Sequence, residues 1–223
     1  EGEPASFEEA VERLNRAWTN FTQANADARN ALTADSSSKA QARKAETARA
    51  ADRAFRAAFQ TAGRYSAEPG ELDRLRLQWA TLAFMTGRWL DAEILGDFLL
   101  YRRSGSTIAP KAAEISLLAA KSAFREEKRN GEDEALLEQL RQDVQTRADY
   151  IVRKWGGNFS GESLPVVREA LVVQMDTAVA AGDIEKAKEL LGAIPESSPA
   201  YSDAAIQFGQ SLWTTYIEHL EKK

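Results

Sequence analysis

From Phe7 the apolar positions of this chain step by fours and threes through Val11, Leu14, Trp18 and Phe21, then Asn25, Ala28 and Leu32. Such spacing predicts one long helix with a single covered side. Asp35-Ser36-Ser37-Ser38 interrupts the stripe, and Ser38 with Gln41 has the spacing of a capping box that would open the next helix. Ala45, Ala48, Asp52, Phe55, Phe59 and Ala62 then repeat the same steps. Residues 5–66 therefore read as one long antiparallel hairpin, with small side chains near the turn and aromatics near the open end.

Glu68-Pro69-Gly70 closes that hairpin. A third helix follows from about Glu71 to Thr86, with Leu72, Leu75, Trp79 and Leu82 on one face and Gly87 ending it. The fourth starts near Trp89 and packs back through Ala92, Leu95 and Leu99. After the loop Ser104–Thr107, Pro110 sits in the first turn of a fifth helix, which carries Ile115, Leu118, Ala119 and Ser122 toward Asn130-Gly131. The sixth, about Glu132 to Lys154, is mostly charged and has a narrow seam of Leu137, Leu140, Val144 and Ile151. Beyond the glycine-rich connector Trp155–Gly161, a seventh helix from Ser163 presents Val167, Leu171, Met175 and Ala178 up to Gly182. Asp183 caps a short eighth helix through Ala187, Leu191 and Ile194, and the segment Pro195–Pro199 breaks it. The ninth places Tyr201, Ala205, Phe208, Leu212, Tyr216 and His219 along one side. About nine helices with short connections and no strand alternation predict an all-α fold.

Two segments share one local grammar. In Gly87-Arg88-Trp89-Leu90-Asp91-Ala92 and in Gly182-Asp183-Ile184-Glu185-Lys186-Ala187 a glycine ends a helix, a bulky residue follows, and alanine comes three later. With Ala80 before the first, with Leu171, Ala178, Leu191 and Pro199 around the second, and with Phe208-Gly209 and Leu212 one period on, this pattern resembles the tetratricopeptide repeat, a helical hairpin of about 34 residues. The resemblance covers 71–105 loosely and 164–219 more fully, while 107–160 and the N-terminal hairpin depart from it. It implies stacked antiparallel hairpins in a right-handed superhelix, with residues 67–223 packed as one continuous repeat region. Each hairpin would bury the apolar flank of its neighbour. It also implies a non-enzymatic scaffold whose first helices line a concave, partner-binding side. In this chain those positions are Arg74, Leu77, Thr81, Phe84 and Met85, then Glu169, Val172 and Asp176, then Ile206, Gln210 and Trp213. Packing against the neighbouring hairpin is the competing role for such residues. A structural repeat segment of a larger protein, with no groove of its own, is the alternative reading.

The 223 residues, 43% hydrophobic and 28% charged, are enough for one large or two small domains with a substantial core and no need of disulfides. A net charge of −5 argues against a general nucleic-acid binder. Locally the second helix is basic, with Lys39, Arg43, Lys44, Arg49, Arg53, Arg56 and Arg64 against Glu46 and Asp52. That face would meet an acidic partner, lipid headgroups or nucleic acid, or would simply be a solvated surface paired to acidic neighbours. No cysteine is present, so thiol chemistry and cysteine-held metals are excluded. His219 is the only histidine, Glu-x-x-His pairs are absent, and the glycines after Trp155 lack the lysine and hydroxyl of a phosphate loop. No catalytic, metal or cofactor site is therefore expected, and the partner expected is a protein or peptide. Asn20-Phe21-Thr22 and Asn158-Phe159-Ser160 match a glycosylation sequon, although Phe21 lies on the core stripe. No apolar run approaches a membrane span. A chain starting at Glu1 and free of cysteine suggests a processed or excised, exported bacterial fragment, periplasmic rather than cytoplasmic.

Overall fold

A computed structural model describes residues 3–64, 68–131, 133–157, 164–196 and 199–221. Among them every regular element is helical: α1 (Phe7–Asn30), α2 (Ala34–Ala62), α3 (Pro69–Met85), α4 (Trp89–Asp97) running on into a π-helical turn (Phe98–Arg102), α5 (Ala109–Asn130), α6 (Glu134–Trp155), α7 (Leu164–Ala180), α8 (Ile184–Gly192) and α9 (Pro199–Glu221). The chain divides into two compact units, 1–99 and 100–223.

The first unit starts with the long hairpin. Ser6 caps α1 by accepting the Glu9 N–H at 3.1 Å, and Glu8 and Glu9 occupy the first turn, where the backbone dipole favours negative charge. The helix stops earlier than its stripe suggests. Leu32 is in the connecting turn and 97% exposed. The opening of α2 also differs from expectation: its cap is Thr33, whose hydroxyl accepts the Ser36 N–H at 3.2 Å while Ser36 Oγ accepts the Thr33 N–H at 3.1 Å. Thr33 is the first hydroxyl after α1 frays, so the helix begins there, and Asp35–Ser38 form its first turn rather than a loop.

Leu14, Phe21 and Phe55 are fully buried between the two helices. Trp18 leans on Phe21 (5.7 Å between ring centres) and meets Phe55 edge-on (6.1 Å). The aromatics of α2 then receive α3: Trp79 stacks on Phe55 at 5.9 Å and on Phe59 at 5.5 Å. Each such pair contributes about 0.5–1.5 kcal/mol beyond the area it covers.

In the second unit α7 is the central element. Val166, Val167, Ala170, Leu171, Val172, Val173, Met175 and Val179 are all buried, because α5, α6, α8 and α9 pack around them. The expected stripe of Val167, Leu171, Met175 and Ala178 is buried, as part of a helix covered on most sides. On α5, Leu117 is fully buried and Leu118 only half so. On α9, Ala204 is fully buried, while Tyr216, expected on the covered face, is 56% exposed. The side chain of His219, the start at Ser163 and the segment 158–163 with its sequon lie outside the described residues.

Each unit contains a short hairpin of the same make. α3 and α7 have 17 residues, and α4 and α8 have 9. Every boundary of the second is that of the first shifted by 95 positions: Pro69 to Leu164, Met85 to Ala180, Trp89 to Ile184, Asp97 to Gly192. Gly87 and Gly182 take φ of 74° and 77°, the left-handed region that glycine enters without a Cβ clash. Around each, a Schellman pair ends the helix: Gly87 and Arg88 donate to Phe84 and Ala83, Gly182 and Asp183 to Val179 and Ala178. Arg88 (φ −88°, ψ 72°) and Asp183 (φ −87°, ψ 73°) then turn the chain identically into the next helix. Ala92 and Ala187, three after the bulky residue in each, are fully buried and allow close approach of the paired helices.

Candidate interaction surface

In the second unit, α7 and α9 enclose an open groove of about 320 Å³. Arg168, Glu169 and Val172 form its α7 side, and Asp203, Ala204, Ile206, Gln207 and Gln210 its α9 side. Val172 (3% exposed) and Ala204 (fully buried) are the apolar floor, and Val172 belongs to the core of the unit as well. The rim is charged and amide-bearing, with Arg168 approaching Asp203 at 4.0 Å across the opening.

One flank of the groove is a fixed polar cluster. Lys121 of α5 donates to Glu169 in an ion pair whose side chains are both largely covered. Asp176, two turns further along α7, accepts from Ser211 of α9 at 2.5 Å. Asp176 keeps an edge open to solvent, yet desolvation by its packed surroundings pushes its carboxyl above the ordinary range, against the pull of the Ser211 hydroxyl and Lys121.

Beyond the groove, α9 presents a bare apolar stripe. Ile206 (60% exposed), Trp213 (65%), Tyr216 (56%) and Leu220 (52%) recur at spacings of seven, three and four, which places them along one helical face of about 21 Å. Trp213 and Tyr216 contact each other with ring centres 6.0 Å apart.

Four of the residues assigned by repeat register to a concave side, Glu169, Val172, Ile206 and Gln210, thus line one groove. Asp176 and Trp213 lie outside its lining, on the same two helices. In the first unit the assigned residues divide between the surface and side-chain packing. Arg74 is exposed, Leu77 and Thr81 are half-buried, Phe84 meets Trp89 edge-on at 5.4 Å, and Met85 packs on the aromatic core.

Sequence reasoning missed a second polar device, although its signal was visible as an aspartate inside an apolar stripe. Asp52 of α2 accepts from Trp79 Nε1 (2.8 Å), Arg56 (2.9 Å) and the hinge residue Arg88 (2.8 Å). Burial works to raise its carboxyl, but the three donors outweigh it and hold the group below the ordinary range. Position 174 matches position 79 under the 95-residue shift, and Gln174 likewise donates across to an aspartate of the preceding long helix, Asp149, at 2.7 Å. Three of the basic residues of α2 are neutralised locally: Lys39 by Asp35, Arg43 by Asp27 and Arg56 by Asp52.

Among the described residues no group of three or more histidines, aspartates and glutamates is arranged to hold a metal ion, and no helix is long and apolar enough to cross a membrane. No family model, curated protein or solved structure matches the chain.

Proposed function

We propose that this chain is a non-enzymatic protein-interaction scaffold of tetratricopeptide-like type, its hairpins stacked in a superhelix, and that the α7–α9 surface holds a segment of a partner protein. The observation that carries the reading is the gathering of Glu169, Val172, Ile206 and Gln210 around one groove that adjoins an exposed apolar helix face. Exposed aromatic and aliphatic residues in a row mark surfaces that bind, because isolated chains keep such patches small. The charged rim adds selection: an apolar anchor in the groove is joined by polar contacts to Arg168, Gln207 and Gln210. Within the same unit, the Gly182 turn sets how α8 folds back on α7 beside that surface.

Trp213→Ala tests the proposal. Truncating a central aromatic anchor weakens an interface by about 2 kcal/mol or more, roughly 30-fold. Partners crosslinked to the wild-type chain and identified by mass spectrometry should be lost from Trp213→Ala while its circular dichroism is unchanged. An identical partner set from a folded Trp213→Ala would refute the α7–α9 surface.

A further inference from the structure

A groove of the first unit lies along α1 and α2, has a volume of about 790 Å³, and differs in chemistry from the α7–α9 surface. Its floor is made of small side chains, Ala10 and Ala17 from α1 and Ala50, Ala54 and Ala57 from α2. Its walls carry Arg13 and Arg16 from α1, Arg53 from α2 and Arg64 just beyond the end of α2, against a single acid, Glu3. Four guanidiniums around one trough contrast with the −5 charge of the whole chain. Arg13 is paired with Glu9, and Arg64 reaches Glu3 only at an exposed 3.4 Å contact. Arg16 and Arg53 form no ion pair with a described residue, whereas Lys39, Arg43 and Arg56 elsewhere on α2 are paired.

Small residues on two neighbouring helices let a third helix approach closely, while guanidiniums on both sides select carboxylates through charge-assisted, two-pronged hydrogen bonds. The trough follows α2 from Thr47 to Arg64, a length of about 25 Å, which matches a helix of some 16 residues. Asn20 and Gln60 add hydrogen-bonding capacity along its walls. We infer that the α1–α2 groove is a docking site for an acidic amphipathic helix of a partner protein, with small apolar residues facing the alanine floor and glutamates or aspartates facing the arginines on both walls. Charge complementarity decides the occupant. A cationic or neutral helix would leave Arg16 and Arg53 facing it unpaired.

Random 16-residue peptides displayed on phage should be panned against the full chain and, in parallel, against Arg16→Glu/Arg53→Glu. Both positions are exposed and form no ion pair with a described residue, so this variant should keep wild-type helicity and thermal midpoint. Arg16→Gln/Arg53→Gln serves the same purpose if charge reversal disturbs the fold. The inference predicts that recovered peptides are net acidic with apolar residues three and four apart. Their synthetic forms should bind wild type at least tenfold more tightly than the double variant, should weaken several-fold between 50 and 300 mM salt, and should bind Trp213→Ala undiminished. That last arm separates this site from the α7–α9 surface. Recovery of no peptide, recovery of peptides without acidic excess, or affinity unaltered in the double variant would each overturn it. So would binding confined to phosphatidylserine vesicles or to single-stranded DNA, or concentration-dependent self-association lost in the double variant.

Discussion

Alanine at Gly87 or Gly182 perturbs the hinge that both short hairpins share, and its cost can be worked out position by position. At φ of 74° and 77° a Cβ crowds the following carbonyl, which disfavours an L residue by about 1–2 kcal/mol. Surroundings add nothing. A methyl at 182 meets no atom within 4 Å, and one at 87 meets only Trp89 Cζ2 at 3.7 Å, an ordinary contact. Alanine also restricts the unfolded chain, which returns about 0.4–1 kcal/mol. The net expectation is a loss of about 1 kcal/mol at each hinge. Asparagine, which tolerates the left-handed region, should lose less than alanine at both positions. Gly192 ends α8 in open space with no positive φ, so Gly192→Ala should instead gain up to about 1 kcal/mol. Urea unfolding by circular dichroism gives the stabilities, and amide hydrogen exchange assigns them, with Gly87→Ala loosening 69–97 and Gly182→Ala loosening 164–192. Alanine as harmless at 87 and 182 as at 192, or asparagine worse than alanine, would refute the shared hinge.

Further expectations follow from the polar groups. Asp52→Asn should cost about 1–3 kcal/mol, since a charged acceptor of three donors is lost. Because its folded carboxyl is held below the ordinary range, the contribution of Asp52 is complete above the unfolded pKa of about 3.9 and disappears as pH falls through the folded value. The difference in urea stability between wild type and Asp52→Asn should therefore shrink below pH 4, and a constant difference would contradict the network. Asp176 has the opposite sign: its raised carboxyl favours folding below the ordinary range, and that advantage is lost as pH rises through the folded value. Asp176→Asn should accordingly be no less stable than wild type at pH 7, and a marked loss there would show that the Ser211 bond outweighs desolvation. Thr33→Ala should cost about 0.5–2 kcal/mol and Ser38→Ala almost nothing, read by thermal unfolding, and the reverse order would restore the cap expected from sequence.

The helical class and the two hinges were legible because glycine followed by a bulky residue and alanine reports backbone conformation directly. Gly87 and Gly182 both prove left-handed. Periodicity locates faces less well near helix ends. The stripe of α1 runs on through Leu32, yet nothing in the spacing reveals that hydrogen bonding stops at Asn30. It also fails where a helix has no outside. α7 is buried on most sides, so its stripe named Val167, Leu171, Met175 and Ala178 but not Val166, Ala170, Val172, Val173 and Val179, and Val172 carries both a groove and a core role. Asp52 was visible as a charge in an apolar row, but two of its three donors, Trp79 and Arg88, come from elsewhere in the chain and only the packing of α3 brings them to it. The basic character of α2 was equally plain. Its division into paired cations and an arginine-walled trough depends on which way each side chain turns.

The central claim, that the α7–α9 surface grips a protein segment, is tested most directly by a photo-crosslinking residue placed at Gln210 and, as a control, at exposed Lys154 of α6. The account predicts a discrete crosslinked partner from position 210, absent from position 154 and abolished by Trp213→Ala. Equal crosslinking from both positions, or none from 210 in a folded chain, would contradict it.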